Sequence, residues 1–344
     1  MLTISGIFGL NFWCGPGQRE GYMRRREFIS FLGGVIAWPS VALAQSKGTW
    51  RLGALLYSDP QSDPQMAAIR SGLSRLGYAE GRNIAIEYRY AQGRLDRLPN
   101  LAAELVLLKP NVILAIGGDV APIAKKADDK IPLVFVSSAD PEQLGLVASL
   151  RRPGGNATGV TLFQDALASK RLELLKEAAP HISKIGFLWN PDHPDNEQRE
   201  AQRAAQALDV QLRPAEVRDS DDFDAAFSRA SDAGVDSLYV VSSRLTVLNI
   251  KRIIQFATKN HLPLAGGWGA WAKEGGLFSY GPDGVVMAGR AADYIDKIFR
   301  GANPADLPVE QPAKFELIIN LKTANALGLS LPHSLLMRAD ELVD

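Results

Sequence analysis

The chain has 344 residues, 46% hydrophobic and 22% charged, a length that suits about two globular domains at ~100–200 residues each. Its 38 basic and 38 acidic side chains cancel, whereas a nucleic-acid-binding protein normally carries a clustered basic surplus, so we predict no nucleic-acid partner. Cys14 is the only cysteine, which excludes a disulfide framework, thiol catalysis in the folded part and a cysteine-based metal site.

The N-terminal segment has the three-part layout of an export signal. Arginines at 24–26 precede an apolar stretch at 28–38, and Ala42-Leu43-Ala44 gives the small-x-small pattern that signal peptidase recognises. The apolar stretch is too short to span a bilayer. We therefore predict a signal peptide at 23–44, cleaved after Ala44, and a mature protein in the periplasm that does not span the membrane.

Two features of this segment leave alternatives open. Residues 1–22 are interpreted as an upstream extension, with Met23 as the true start. Arg25-Arg26-Glu27-Phe28-Ile29 resembles a twin-arginine export signal, so both that route and the general secretory route stay open.

After the signal, short apolar runs typical of buried parallel strands alternate with amphipathic stretches of helical period. In the first half, the pattern predicts strands at 51–57, 83–88, 112–116, 133–136 and 157–160. It predicts helices at 65–76, 95–108, 120–127 and 142–150. Each connection is long enough for one helix, as a β-α-β unit requires.

The same alternation then begins again. The pattern predicts strands at 184–189, 211–216, 237–241 and 262–265, and helices at 168–178, 196–208, 223–233 and 247–259. The tail adds a strand at 276–280, a helix at 285–300 ended by Gly301, and a last strand at 315–320.

This order predicts an α/β fold of two doubly wound parallel-sheet lobes joined by several crossing segments, which permits closure about a hinge. We place the first crossing near 161–164 and the return near 280–283. The predicted N-terminal lobe comprises 50–160 plus 281–305. The predicted C-terminal lobe comprises 161–280 plus 306–338.

Several stretches point to a known family. They are L-S-R-L-G-Y at 73–78, G-R-N-I at 81–84, A-I-G-G at 115–118, S-A-D-P at 138–141, R-P-G-G-N-A-T-G-V at 152–160, G-A-N-P-A-D-L-P-V at 301–309 and N-L-K-T-A at 320–324. With them, the chain from about 51 to 332 resembles the ABC-transporter substrate-binding proteins of the tryptophan/tyrosine-binding (TrpX-like) type. The resemblance implies the type I periplasmic binding protein fold, a small-molecule ligand, and an ABC permease with its ATPase as partners.

The chain departs from the family pattern in the predicted cleft. The family usually has a small hydroxyl residue after the first glycine that follows the third strand, where this chain has Gly118-Asp119. After the first strand it has Ser58-Asp59-Pro60 in place of a bulkier aromatic lining. The ligand of better-studied relatives is therefore not carried over.

In open parallel sheets, ligands bind beyond the carboxyl ends of the strands, where helix N-termini present free N–H groups. From the first lobe this rule selects Tyr57, Ser58, Asp59, Gly117, Gly118, Asp119, Ser137, Ser138 and Asp140. From the second it selects Trp189, Asn190, Ser242, Ser243 and Trp268, with Tyr280 near the hinge. The preferred contacts are Ser138, Asn190, Ser243 and Tyr280.

Each candidate also has a purely structural interpretation. The glycine pair can simply let the chain turn, and the serines and Asp140 can cap helices. Asn190 opens an Asn-Pro-Asp turn, and the tryptophans can be packing residues. Asp59 and Asp119 can be solvated; if one faces the cleft, it would favour a ligand bearing an amine.

Enzyme motifs are absent from the sequence. The turn at 56–61 has no glycine and so lacks G-x-G-x-x-G, and there is neither a P-loop nor a G-x-S-x-G elbow. The histidines (His181, His193, His261 and His333) show no metal-ligand spacing. We therefore predict no catalytic residue, no metal site and no cofactor.

The sequence thus predicts the solute-binding component of an ABC importer, which captures a small molecule such as an amino acid or a small aromatic compound. A periplasmic sensor that feeds a membrane receptor stays open as an alternative, as does, less favoured, a doubly wound enzyme. A transcription regulator of the same fold should carry an N-terminal helix-turn-helix, where this chain has an export signal.

Overall fold

A computed structural model describes residues 49–344, so the predictions made for 1–44 lie outside the described residues. Twelve strands are described, in two sheets. They are β1 (Trp50–Leu56), β2 (Ile84–Tyr90), β3 (Val112–Ile116), β4 (Leu133–Ser137), β5 (Ala157–Thr161), β6 (Lys184–Trp189), β7 (Gln211–Glu216), β8 (Ser237–Val240), β9 (Leu264–Gly266), β10 (Phe278–Gly281), β11 (Glu316–Asn320) and β12 (Glu341–Val343).

Thirteen α-helices connect or follow these strands within 49–344. They are α1 (Pro64–Arg75), α2 (Leu98–Leu107), α3 (Val120–Ala127), α4 (Ala168–Ala178), α5 (Glu197–Ala207), α6 (Phe223–Asp232), α7 (Arg244–Leu248), α8 (Ile250–Lys259), α9 (Ala270–Lys273), α10 (Gly284–Gly289), α11 (Ala291–Phe299), α12 (Leu321–Ala326) and α13 (His333–Leu336). None of the described helices is long and apolar enough to cross a bilayer.

The first sheet is parallel throughout and runs β2-β1-β3-β4-β5. Its strands β3 and β4 are buried along their whole length, as expected of parallel strands covered on both faces. Helices α2 and α3 pack together as one group, and α1 packs with α10 and α11 as another. This sheet with its helices is called the first lobe.

The second sheet runs β12-β11-β10-β9-β8-β6-β7 and forms the second lobe with its helices. Its strands are parallel to their neighbours except for the antiparallel pair β10 and β11. Two sheets dominated by parallel pairing, each wrapped in helices, confirm the predicted α/β fold of two doubly wound lobes.

The chain passes between the lobes three times. It leaves β5 for α4, leaves β10 for α10, and returns from α11 to β11. On the last path, Glu310 lies beside β5: its N–H donates to the carbonyl of Gly159 at 3.0 Å, and its carbonyl accepts from Thr161 N at 2.9 Å. Two crossing segments are thus hydrogen-bonded side by side where the lobes meet.

The helix predicted at 142–150 is wrong, because the described chain makes turns there. Gly145 adopts a φ of 65°, in the left-handed region that interrupts a helix. Leu146 and Val147 are nevertheless buried, at 1% and 6% exposure. The apolar pattern of this segment therefore indicated burial correctly but did not indicate a helix. Helix α11, from the tail, packs on β4 and β5.

Three further expectations need correction. The predicted helix at 285–300 is divided at Arg290 into α10 and α11. The predicted helix at 247–259 is preceded by a separate short helix, α7, and the two meet at Asn249. The strand predicted at 315–320 is not the last one, because β12 pairs with it in parallel.

Candidate functional site

The loops that follow strands of the first sheet contact those that follow strands of the second. The side chains that meet there come from both lobes and are mostly buried. The space between these loops is called the cleft below. At three places, direct contacts between polar side chains cross it. One joins Gln143 of the first lobe to Asn196 of the second. The other two involve buried charged groups and are called the bridges.

The first bridge is made by Arg244, the first residue of α7. Its Nη2 donates to Ser58 Oγ at 3.0 Å and pairs with the carboxylate of Asp63, while Nη1 donates to Gln65 Oε1 at 3.2 Å. Arg244 is only 6% exposed. A cation at a helix N-terminus opposes the helix dipole, so the carboxylate of the other lobe supplies the compensation.

Asp63 is fixed in place by its own helix. Its Oδ1 accepts from the backbone N–H groups of Gln65 at 2.9 Å and Met66 at 3.4 Å, which caps α1, and Pro64 occupies the first helical position. One oxygen therefore serves the helix and the other serves Arg244. The guanidinium meets a carboxylate that is already oriented.

The second bridge joins Ser138 to His193. Ser138 Oγ lies 3.4 Å from His193 Nε2, and His193 Nδ1 lies 2.5 Å from Asp195 Oδ2. Burial disfavours the imidazolium, but Asp195, with Asp119 and Glu197 further off, outweighs it and raises the pKa of His193 to about 9. The charged imidazolium donates one hydrogen bond to Asp195 and one to Ser138.

A buried network stands behind the second bridge. Arg171 donates from Nη1 to Glu197 Oε1 at 2.6 Å, and the Tyr239 hydroxyl donates to the same oxygen at 2.6 Å. Arg171 also donates from Nε to the carbonyl of Tyr280 at 2.8 Å and contacts the side chain of Gln164. It thereby ties together two of the three crossings.

Asp165 lies beside this network, at the first crossing. Burial raises its pKa to about 7, and the charge of Asp195 adds to the rise. Its Oδ2 accepts from the backbone N–H of Asn196 at 3.1 Å. A carboxyl at the hinge therefore changes charge near neutral pH.

Several buried polar atoms at these loops have no protein partner. Within 49–344 they are Asp119 Oδ1, Gln164 Nε2, Asp165 Oδ1, Trp189 Nε1, Ser242 Oγ, Arg244 Nε and Trp268 Nε1. A buried polar group without a partner costs about 1–3 kcal/mol. A guest with matching donors and acceptors would remove that cost, as expected of a binding cleft.

Three recesses open between the lobes, each lined from both sides. One of about 420 Å³ is lined by Ser138, Asp140, Gln143, 163–166, Asn196, Arg199, Glu200 and Arg203. A second, of about 350 Å³, is lined by Pro64, Gln65, Arg244, Val247, 268–270, Lys273, 281–285, Glu316 and Ile318. A third, of about 660 Å³, is lined by 92–96, Asp192 and 218–221. These volumes suit small molecules.

Four predicted residues meet at the bridges. Ser58 contacts Arg244, and Ser138 contacts His193. A Cβ added to Gly117 would lie 3.5 Å from Arg244 Cγ, and one added to Gly118 would lie 3.1 Å from Ser138 Oγ. The glycine pair thus allows the backbone to approach both bridges closely.

Four other predicted residues use their side chains within their own lobe. The Tyr57 hydroxyl donates to the carbonyl of Gly93 at 2.6 Å, and Ser137 Oγ donates to the carbonyl of Ala139 at 2.8 Å. Ser243 forms a capping box with Thr246 at the start of α7. Asn190 Oδ1 accepts from the Asp192 N–H at 2.9 Å, as in an ordinary turn.

The remaining predicted residues take no part in the two bridges, and several of them hold a buried polar atom without a protein partner. Asp59 and Asp140 accept from backbone N–H groups two residues on, and Asp59 is exposed. The ring of Tyr280 lies 6.3 Å from that of Phe315, outside the bridges. Asp119, Trp189, Ser242 and Trp268 each hold a buried atom without a protein partner, as noted above.

Sequence reasoning missed the central cations and their partners. Arg244 stands directly after the predicted Ser243, and Asp63-Pro64 is a recognisable helix start. An arginine at the first position of a helix is a signal in itself, because it needs an anion that the helix does not provide. His193 and Asp195 carried no comparable signal, since their pairing depends on a turn after β6.

Two doubly wound lobes, three crossings and a polar cleft define a two-lobed ligand-binding protein of the type I periplasmic class. The family model described as ABC transporter substrate binding protein matches residues 54–343, and the chain belongs to that family. The family resemblance predicted from the sequence is thereby confirmed.

Individual relatives agree with this assignment. The chain is 26% identical over 331 residues to a "Tyrosine-binding protein" of Clostridioides difficile (strain R20291), covering 95% of this chain and 91% of that one. It is similar to a structure from Streptococcus pneumonia described as an ABC domain in complex with L-Trp, with a TM-score of 0.77 at 22% identity over 86% and 100% of the two chains.

A third likeness is to a solved structure described as ligand-free and open. A ligand-free, open structure of a substrate-binding protein with adhesive properties from Clostridium difficile matches with a TM-score of 0.59, at 24% identity over 86% of this chain and 99% of that one. Its identity and coverage are close to those of the L-Trp complex, yet the superposition is poorer. Both solved structures share the fold of this chain.

Proposed function

We propose that the chain is the periplasmic solute-binding component of an ABC importer, which captures one small molecule between its two lobes. Membership of the substrate-binding family supports the class. The export signal predicted at 23–44, with predicted cleavage after Ala44, supports the location. The partners are a separately encoded permease and its ATPase.

The observation that carries the proposal is the set of buried polar atoms without protein partners at loops of both lobes. A ligand that satisfies atoms of both lobes binds the closed form better than the open form, and so shifts the population toward closure. Ser58, Asp119, Ser138, Ser242, Trp189 and Trp268 are the predicted residues proposed to line the cleft.

The described arrangement is proposed to be the closed one. Both bridges join side chains of opposite lobes, and the chain superposes better on the L-Trp complex than on the open, ligand-free structure. Three crossings at the lobe boundary supply the hinge. The Arg171 network, which contacts Gln164 and Tyr280, is proposed to hold two of them in a fixed relation.

The cargo is proposed to be an amino acid or a small aromatic carboxylate. Two relatives bear the names of aromatic amino acids, and this chain places two tryptophans beside the cleft. An aromatic side chain at the cleft offers a flat apolar surface to a ring, and its N–H offers a donor to an acceptor group.

A thermal-shift series tests the proposal. The mature chain from Gln45 is heated with L-tyrosine, L-tryptophan, L-phenylalanine, benzoate or sugars. A ligand at about 100 times its Kd adds about 2.7 kcal/mol to the unfolding free energy, which raises Tm by several degrees. Stabilisation by sugars alone would reject the cargo, and steady turnover of a substrate would favour an enzyme.

Uptake by cells distinguishes an importer from a sensor. We expect deletion of the coding sequence to abolish uptake of the labelled ligand identified above, and expression of the full chain to restore it. Unchanged uptake together with a lost transcriptional response would favour the sensor. Recovery of the chain in the cytoplasm would contradict both.

A further inference from the structure

The recess of about 350 Å³ lies at the carboxyl ends of four strands. Pro64 and Gln65 come after β1, Arg244 and Val247 after β8, and 268–270 after β9, while 281–285 follow β10 along the second crossing. Both lobes therefore contribute walls. The recess is called the Trp268 recess below.

Two buried N–H donors in this lining have no protein partner. Trp268 is 8% exposed and its Nε1 lacks an acceptor; Arg244 is 6% exposed and its Nε lacks one too. The other guanidinium nitrogens of Arg244 are used in the bridge to the first lobe. The free atoms of the lining are thus donors, which call for an acceptor such as a carboxylate.

The remaining walls are largely apolar. Pro64, Val247, Pro282, Val285 and Ile318 line the recess together with Trp268. At Gly284, an added Cβ would lie 3.3 Å from Gln65 Nε2, and the indole Nε1 would lie 4.0 Å away, so the backbone closes this side. The recess has the volume and the surface for one aromatic ring.

The acidic groups of the lining are already engaged. Glu316 accepts from Lys314 at 3.3 Å, and Asp283 caps α10 by accepting from Val285 N and Val286 N. Asp119, whose Oδ1 is a free buried acceptor, does not line this recess. The second oxygens of these two carboxylates remain available, but Asp283 is exposed to solvent. An α-ammonium group placed beside Arg244 Nε and Trp268 Nε1 would instead lose water and meet two donors, one of them cationic, with no free buried acceptor in the lining.

We propose that the Trp268 recess is the ligand subsite and that it selects aromatic carboxylates without an α-ammonium group over the matching α-amino acids. The inference rests on the proposed function and sharpens it. The carboxylate accepts from Arg244 Nε and Trp268 Nε1, and the ring packs on the indole and the apolar walls.

Matched ligand pairs test the selectivity by calorimetry on the mature chain. Indole-3-propanoate is compared with L-tryptophan, and 3-phenylpropanoate with L-phenylalanine, because each pair differs only by the ammonium group. We expect the carboxylate to bind at least about tenfold more tightly in each pair. Equal affinity, or tighter binding of the amino acid, overturns the proposal but leaves the importer function standing.

Two variant pairs test the location. Trp268→Phe keeps a ring and removes the N–H, and we expect about tenfold weaker binding of indole-3-propanoate. Trp271→Phe is the control, because it removes an equally free indole N–H that lies outside the recess, at 0% exposure. Equal losses in the two variants overturn the proposal.

The second pair of variants changes exposed residues rather than buried ones. Val285 lines the recess and is 40% exposed, whereas its neighbour Val286 is 63% exposed and does not line it. We expect Val285→Glu to weaken carboxylate binding by about tenfold or more through charge repulsion, and Val286→Glu to leave it nearly unchanged. Equal affinities for the two variants overturn the proposal. Binding of none of these compounds, or of any in the thermal-shift series, overturns the proposed function as well.

Discussion

At the scale of the residue, the charge state of His193 is set by its neighbours. Asp195 contacts one ring nitrogen and Ser138 of the other lobe contacts the second. The pKa rises from the ordinary 6.5 to about 9 although the ring is buried. The imidazolium therefore stabilises the folded protein at neutral pH.

We expect this stabilisation to depend on pH. A group whose folded pKa is raised contributes fully below its unfolded pKa, near 6.5, and loses its contribution as pH rises through about 9. The loss is on the order of 3 kcal/mol. Urea unfolding at pH 6, 7.5 and 9 measures it. His193→Asn should reduce this slope to the smaller part that Asp165, with its pKa raised to about 7, contributes near neutral pH. His181→Asn, at an exposed site, should retain the full slope. A wild-type curve that is level across this range would refute the assignment.

The sequence predicts only those cleft residues whose position follows from the order of strands and helices along the chain. Ser58, Gly117, Gly118 and Ser138 were found because the carboxyl ends of parallel strands share an edge. The pairing of Arg244 with Asp63, 181 positions apart, depends on how two lobes approach each other. Periodicity along one chain segment carries no information about that approach.

At the scale of the element, strand β5 shows why a glycine stands in R-P-G-G-N-A-T-G-V. Gly159 has a φ of 153°, and a Cβ there would collide with backbone atoms of Phe135 in β4. Gly155, four residues earlier, would bring its Cβ only to 3.6 Å from Lys125 Nζ. Position 159 therefore requires a glycine, whereas position 155 has room for a side chain.

We expect Gly159→Ala to lower the unfolding free energy by at least about 3 kcal/mol, because β4 and β5 must separate to admit the methyl group. Gly155→Ala should change it by no more than about 0.5 kcal/mol. Chemical denaturation followed by circular dichroism measures both. Similar values for the two variants would count against the packing described for β4 and β5.

Elements with one apolar pattern were predicted well and composite elements were not. Strands β3 and β4 are nearly continuous apolar runs because both faces of the sheet are covered there. The segment at 142–150 gave a similar pattern, yet its apolar residues are buried in turns. The spacing of the buried apolar residues in this segment matches the period of a helix. Gly145 was the one residue of the segment that indicated a turn instead.

At the scale of the whole molecule, the pair of Arg244 and Asp63 holds the lobes together. Asp63→Asn keeps an amide oxygen that can cap α1 but removes the charge. A trapped unpaired guanidinium would cost about 3–5 kcal/mol, which opening of the lobes relieves by admitting water. We therefore expect the variant to be more open without ligand.

Small-angle X-ray scattering measures this change as a larger radius of gyration for ligand-free Asp63→Asn than for the wild type. Saturating ligand should reduce the difference. Glu104→Gln is the control, because it removes a carboxylate from an exposed pair with Arg89 inside the first lobe, away from the three recesses. If both variants scatter like the wild type, the ion pair does not govern closure.

The division of the chain into two lobes was predictable because β-α-β units repeat and then a tail returns. The division points of the predicted lobes stay a prediction. The sequence pattern did not predict how the tail packs. Phe299 of α11 stacks on Trp50, with ring centroids 4.5 Å apart. That contact joins the first strand to a helix far along the chain.

The position of α11 also bears on biosynthesis. This helix packs against β3, β4 and β5, yet the ribosome makes it only after every strand up to β10. A nascent chain that ends after β5 therefore leaves apolar strands without their cover, and such a fragment should aggregate when expressed alone. To obtain the first lobe as a separate soluble product, α10 and α11 would have to be joined to the chain after β5.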